Sequence, residues 1–204
     1  MLEKIRLEII PILLEVLKEK DFGWEALEDA SQKSNHPYGL VRLAFKDNLS
    51  FVLSALAHFM VDLVINQVSS VDLRALRTHE KIRKIIEISF HVLEPYKSTL
   101  RRLVNTSMMK KYFMVESKIL YEVVSRIWYK AGDTSTDYNF YTKRILLSFA
   151  YVPTFRFWLK EGSTIENTMI FLDHKLQQVM KIGKIKRIVT DIKIVDFLKQ
   201  KGVG

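Results

Sequence analysis

The chain has 204 residues, 48% of them apolar, a net charge of +9, and only seven Gly and four Pro. That length allows one sizeable core or two small ones, and so few breakers point to long helices with few loops. Cysteine is absent, which excludes disulfide frameworks, thiolate metal sites and cysteine nucleophiles.

Helical spacing of apolar residues runs through nearly the whole chain, and no alternating strand pattern competes with it. Helices are predicted over 2–20, 24–33, 38–46, 48–67, 72–92, 96–107, 113–131, 137–160, 165–181 and 184–200, broken at turn-forming stretches such as "DFG", "SNHPYG", "AGDTSTD" and "EGST". The fold class is therefore all-α, of about ten helices. Three parts are expected: a helix-turn-helix subdomain over 1–47, a larger helical domain over 48–181, and a basic terminal helix over 182–204.

Met1 leads into "LEKIRLEIIPILLEVLKEK", where charges interrupt the apolar residues every few positions. That is not the core of a secretory signal, and an intracellular setting is expected. The next two short helices read as a helix-turn-helix. The would-be recognition helix, "YGLVRLAF" over Tyr38–Phe45, offers only Arg42, with Lys46 at its end. Base reading and phosphate anchoring need several polar or basic side chains on one exposed face, so no nucleic-acid partner is expected.

Leu49–Asn66, "LSFVLSALAHFMVDLVIN", approaches membrane hydropathy, but His58 and Asp62 sit one turn apart near its middle. It reads as a buried helix rather than a span, one that needs apolar partners all round or a ligand in place of one. His58 with Asp62 is the single tempting acid–base pair; its plainer reading is a core histidine satisfied by a neighbouring carboxylate. The other histidines show neither zinc nor di-iron spacing, and "THEKIR" has Arg83 where a zinc-protease helix needs its second His. Gly-rich phosphate loops and Gly-x-Ser-x-Gly elbows are also missing from the sequence. The chain is read as no enzyme, with no metal or cofactor.

"WYKAGDTSTDYNFYTKR", Trp128–Arg144, is a helix stop followed by a fresh start. Gly132 can take the left-handed conformation that ends a helix, Ser135 or Thr136 can cap the next, and Asp133 and Asp137 lie near the new N-terminus. Ile145–Leu159, "ILLSFAYVPTFRFWL", is too apolar for an exposed helix and is expected in a core or subunit interface, with a kink or bend at Pro153. From Lys175 to Lys201 seven Lys and one Arg face two Asp, so the segment carries +6. There Ile185, Ile188, Ile192, Val195 and Leu198 form an apolar stripe, while Lys184, Lys186, Arg187, Lys193, Lys199 and Lys201 supply the other surface. That pattern suits anionic lipid headgroups, or a helix docked on its own core with a solvated face.

The run from Ile127 through "WYKAGDTSTDYNFYTKR", with "LRALRTHEKIRKIIE" before it and "ENTMIFLDHK" after, closely resembles the Coq-nine family of lipid-binding accessory proteins of ubiquinone biosynthesis. "GWEALEDAS" at Gly23–Ser31 is similar to that family's Gly-Trp step in a degenerate helix-turn-helix. The resemblance implies a TetR-like fold without DNA recognition, a homodimer formed through late helices, and an apolar cavity for isoprenoid lipid or a ubiquinone precursor. It also implies a terminal helix on the membrane surface and assistance to a di-iron hydroxylase, with no bond-making by this chain. Trp128 and Tyr129 match the family's aromatic pair in the patch that engages the hydroxylase; Ser125 stands where members often carry an acidic residue. From apolarity and helix position, Phe59, Leu63, Phe113 and Met114 are expected to line the cavity. The implied location is cytoplasmic at a bacterial inner membrane, or the matrix face in a mitochondrion. Two rivals stay open: a TetR-type ligand-sensing DNA-binding regulator, and an enzyme using His58 with Asp62.

Overall fold

The computed structural model describes residues 1–105, 113–136 and 138–181. The expected terminal helix with its membrane residues, and Asp137, therefore lie outside the described residues, as do the side chains of Phe113 and Met114. What is described is helical: α1 (Leu2–Val16), α2 (Trp24–Lys33), α3 (Tyr38–Ala44), α4 (Leu49–Ser69), α5 (Thr78–Leu93), a 3-10 turn at Glu94–Tyr96, α6 (Lys97–Asn105), α7 (Phe113–Lys130), α8 (Tyr138–Trp158) and α9 (165–181). The helices fall into two compact units. One is Met1–Thr134 with Leu159–Gly162; the other holds α8 and α9.

In the first unit α1 is the central post. Ile5, Ile9 and Leu13, with Ile10 and Leu14 beside them, recur at helical spacing and are buried where α1 packs on α2, α3 and α4. Leu27 of α2 and Phe45 after α3 complete that cluster. α4 packs in turn on α5 and α7, and its Val52, Leu56, Met60, Val64 and Val68 form one buried stripe of four-residue steps. In the second unit Trp158 is fully buried, Phe155 packs against it, and Phe157 stacks on Phe171 of α9 at 4.6 Å between centroids.

Two helices are shorter than their periodicity predicts. α1 stops at Val16 rather than residue 20, because the chain turns through Lys18 and Glu19 to place Lys20 on Asp29 and bury Phe22. The helix expected from residue 72 begins at Thr78. Asp72 folds back on itself instead, its carboxylate accepting the Arg74 backbone N–H at 2.9 Å and the Arg74 guanidinium at 3.0 Å, a local bond that competes with the helix. Glu80 then accepts the Arg77 N–H at 2.7 Å and starts α5.

Glu8 ties α1 to the turn before α3: its carboxylate lies 2.7 Å from His36 Nε2 and 3.7 Å from Lys4 Nζ. The His36 hydrogen bond, helped by Lys4, holds the Glu8 carboxyl below its ordinary value. A lowered folded-state pKa gives stability that is present above the unfolded value and lost as pH falls through the folded one. Glu8→Gln should therefore flatten the acid limb of the stability profile while changing neutral-pH stability little, since the pair is exposed. Urea midpoints of both proteins, followed from neutral pH into the acid range, check this.

Candidate functional site

α7 lies alongside α4 and runs in the same direction, held by polar rungs at successive turns. His58 Nε2 lies 2.9 Å from Glu122, Arg126 Nη1 donates to Asp62 at 3.4 Å, and Lys130 Nζ donates to Ser69 at 2.8 Å. Arg126 also donates to Glu122 at 3.0 Å from its own helix. The expected pairing of His58 with Asp62 is thus corrected: each reaches across to α7, where carboxylate and guanidinium alternate with histidine and carboxylate. Nor is His58 a core residue, for its side chain is half exposed. His58 Nδ1 faces the Ser54 carbonyl at 2.6 Å. The Ser54 hydroxyl lies 3.3 Å from the same nitrogen, so both ring nitrogens of His58 face hydrogen-bond partners.

α4 itself departs from expectation. It is long and apolar enough to cross a membrane, and the sequence suggested burial on nearly every face. Only one stripe is fully buried; Phe59 and Leu63, one turn apart, are half-buried, as are Val61 and Ile65. Helix α4 therefore retains apolar surface that its neighbours do not fully cover. Nearer its start is a pocket of about 240 Å³ lined by Asn48, Ser50, Phe51, Ser54 and His58 from the α4 side and Val115, Lys118, Ile119 and Glu122 from α7. Neither Phe59 nor Leu63 lines it.

At the far end of α7 the Gly132 turn closes the helix. Asp133 N–H donates to the Trp128 carbonyl at 3.0 Å and Gly132 N–H to the Tyr129 carbonyl at 3.0 Å, with Gly132 at φ +91°. These are the two bonds of a Schellman cap, so the aromatic pair sits on the last, tied turn of the helix. Val124, Ile127 and Ala131 face inward; Ser125 and Trp128 are half-buried, and Tyr129 is 75% exposed. Tyr129 is therefore not core packing. Tyr121, also exposed, lies two turns back on α7 and escaped the sequence reading because only the spacing of inward residues reveals it.

α8 has two apolar sides. Leu147, Ala150, Tyr151 and Thr154 are buried, while Tyr141, Ile145 and Phe149, at four-residue steps, are 59%, 56% and 66% exposed. The helix continues on both sides of Pro153. Arg144 is buried and lies over the Phe140 ring. Burial pushes the Tyr151 phenol well above its ordinary value, so it stays neutral.

In the helix-turn-helix, Arg42 is occupied. Its guanidinium lies 4.6 Å from the Trp24 ring centroid and its Nε donates to Asp47 at 2.6 Å. Gly39 and the apolar Leu43 are what α3 exposes.

The family model described as COQ9 matches residues 114–183. Curated relatives include "Ubiquinone biosynthesis protein COQ9, mitochondrial" of Rattus norvegicus, 25% identical over 89% of this chain and 60% of its own length. The Homo sapiens protein of that name is 29% identical over 52% of this chain and 34% of its own. "Probable ubiquinone biosynthesis protein coq9, mitochondrial" of Dictyostelium discoideum is 27% identical over 83% and 58%. The chain thus spans about 60% of the rat and slime-mould relatives' length. Among solved structures, a TetR transcriptional regulator from Rhodococcus sp. RHA1 superimposes with TM-score 0.61 at 11% identity, covering 87% of this chain and 96% of that one. The similarity to COQ9 proteins read from the motif is borne out in sequence, and the all-α TetR-like fold in structure.

Left-handed backbone at Gly132 costs any other residue about 1–2 kcal/mol. Gly132→Ala should lower stability by about that amount and loosen the last turn of α7, measurable as a shifted denaturant midpoint with faster amide exchange at Asp133.

Proposed function

We propose that the chain acts in ubiquinone biosynthesis as a lipid-binding accessory protein that makes and breaks no bonds itself. A ubiquinone precursor carries a polar ring on a long isoprenoid tail, and an enzyme at the membrane surface needs that ring lifted within reach. The tail lies along the incompletely covered side of α4, where Phe59 and Leu63 are half-buried, each buried CH2 contributing about 0.8 kcal/mol. Residues 184–199, with their basic and apolar stripes, dock the protein peripherally on the inner membrane, from the cytoplasm in a bacterium or from the matrix in a mitochondrion. Two copies pair through the exposed stripe Tyr141, Ile145 and Phe149 of α8.

One observation carries this reading: within the stretch that matches COQ9, Tyr129 stands out in solvent beside Trp128 on a capped helix end. An exposed aromatic on a rigid support is what an interface anchor requires, and the partner is a di-iron hydroxylase of the pathway. A DNA-binding regulator is not favoured. The likeness to a TetR regulator at 11% identity concerns the fold, and Arg42 is committed to Trp24 and Asp47.

Organic extraction of the purified protein followed by mass spectrometry should yield an isoprenoid lipid; a protein that purifies empty from a ubiquinone-making host would overturn the cavity reading. Replacing Trp128 and Tyr129 together by Ala should weaken hydroxylase capture by about 2 kcal/mol, roughly thirtyfold, with extracted lipid and helical signal unchanged. Wild-type capture by a folded double mutant would place the patch elsewhere.

A further inference from the structure

Phe51 stands on the first turn of α4 and carries two cations from two other parts of the first unit. Arg6 of α1 places its Cζ 5.5 Å from the ring centroid, and Lys46 of the α3–α4 turn places its Nζ 4.7 Å from it. The two charges are therefore no farther apart than the sum of those distances. Among the described residues neither has a carboxylate partner, and the Arg6 Nε is buried with no hydrogen bond. A guanidinium N–H shut away from water without an acceptor is costly. Two like charges drawn to one ring also repel each other.

The carboxylates beside them in sequence serve elsewhere. Asp47, next to Lys46, accepts from Arg42 Nε at 2.6 Å, and Glu8 is held by His36 and Lys4. The turn is also strained: Lys46 and Asp47 are both left-handed, with φ +54° and +48°, a conformation that side chains with a Cβ rarely take. It sends Asp47 to Arg42 and Lys46 to Phe51, and so parts the acid of the turn from the base beside it. An orphaned donor, an uncompensated pair of cations and a strained turn that keeps a carboxylate away converge on one place. What all three lack is an anion.

A polyanion is disfavoured there, because residues 1–50 carry nine Asp and Glu against seven Lys and Arg, and a strand of phosphates would meet that surplus. A single phosphate group would not. Its tetrahedral oxygens offer acceptors in diverging directions, which suits two donors arriving from separate segments, whereas the two oxygens of a planar carboxylate suit one fork.

We infer that Arg6 and Lys46, beside Phe51, bind one phosphate monoester, carried either by a small soluble molecule or by a lipid headgroup. The Lys46 ammonium donates to one oxygen. The Arg6 side chain is half-buried rather than enclosed, and its guanidinium turns to give the Nε–H a second oxygen. The site needs no isoprenoid tail and no hydroxylase, so it and the accessory-protein reading can fail separately.

The test titrates inorganic phosphate into the isotope-labelled full-length chain at constant ionic strength and follows the Arg6 Nε–H resonance by NMR. The resonance should shift saturably. Lys46→Gln should weaken binding about tenfold, the ratio one charge-assisted contact of ~1.4 kcal/mol supplies, and Lys46→Arg should keep it. Because Lys46 is exposed, both variants should retain the wild-type thermal transition. Flotation with phosphatidylcholine vesicles containing phosphatidic acid separates the two sources. Weaker flotation of Lys46→Gln assigns the site to a lipid headgroup; unchanged flotation beside a weakened phosphate response assigns it to a soluble phosphate. No saturable shift, the same shift with chloride, or an undiminished response in folded Lys46→Gln would each overturn the assignment. So would tighter, Lys46-dependent binding of a DNA duplex, which would make this a polyanion site.

Discussion

The parallel seating of α7 on α4 is the constraint on which the rest of the first unit depends. α4 cannot stand alone in water, since most of its residues are apolar and one stripe buries only part of them. α7 covers some of the remainder, and the rungs His58–Glu122, Asp62–Arg126 and Ser69–Lys130 fix its direction and register. Each rung is partly exposed, so none contributes much stability. Their value is in specificity: slipping α7 by one turn would set Glu122 against Asp62 and lose the partners of both. With the register fixed, Lys118 and Ile119 face the start of α4, and Trp128 and Tyr129 come to the opposite end, beyond the last apolar turn.

That arrangement separates two kinds of surface along one helix. The first turns of α7 meet α4 around a mixed polar and apolar recess, whereas the last turn presents the exposed ring of Tyr129. A ligand held at one end and a protein held at the other would share a rigid rod with its C-terminal carbonyls satisfied by the Gly132 cap. Distortion at either end would have to break a rung or the cap before it could pass along. Coupling between the two ends therefore has a physical route, and its strength is set by the weak polar rungs rather than by the buried stripe.

Much of the fold was legible because helices announce themselves locally. The starts of α2 and α3 and the stop after Lys130 follow from Gly23, Pro37 and Gly132 together with apolar spacing. The misplaced start of α5 shows the limit: residues 72–77 carry helix-compatible spacing, but Asp72 prefers its own bond to Arg74, a competition between two local structures of nearly equal cost. The site was less legible. His58 and Asp62 looked like a pair because they are four apart, yet their true partners lie 64 residues away on α7. No single-helix pattern reveals a rung between helices.

α8 marks a different boundary. In Ile145–Leu159 apolar residues occupy every face, and sequence alone can say only that such a segment is covered, by its own core or by another chain. The structure divides it. Leu147, Ala150, Tyr151 and Trp158 take the inward side, and Tyr141, Ile145 and Phe149 are left as a continuous outward ridge on the surface. Arg144 separates the two without diluting either, since it folds over the Phe140 ring and is itself buried. A solvated helix would carry charge at 141, 145 or 149, where a single Lys would cost nothing in the core. Keeping three large apolar side chains there is understandable if another surface covers them, and their four-residue spacing suits the helix-on-helix packing by which i±4 ridges interlock.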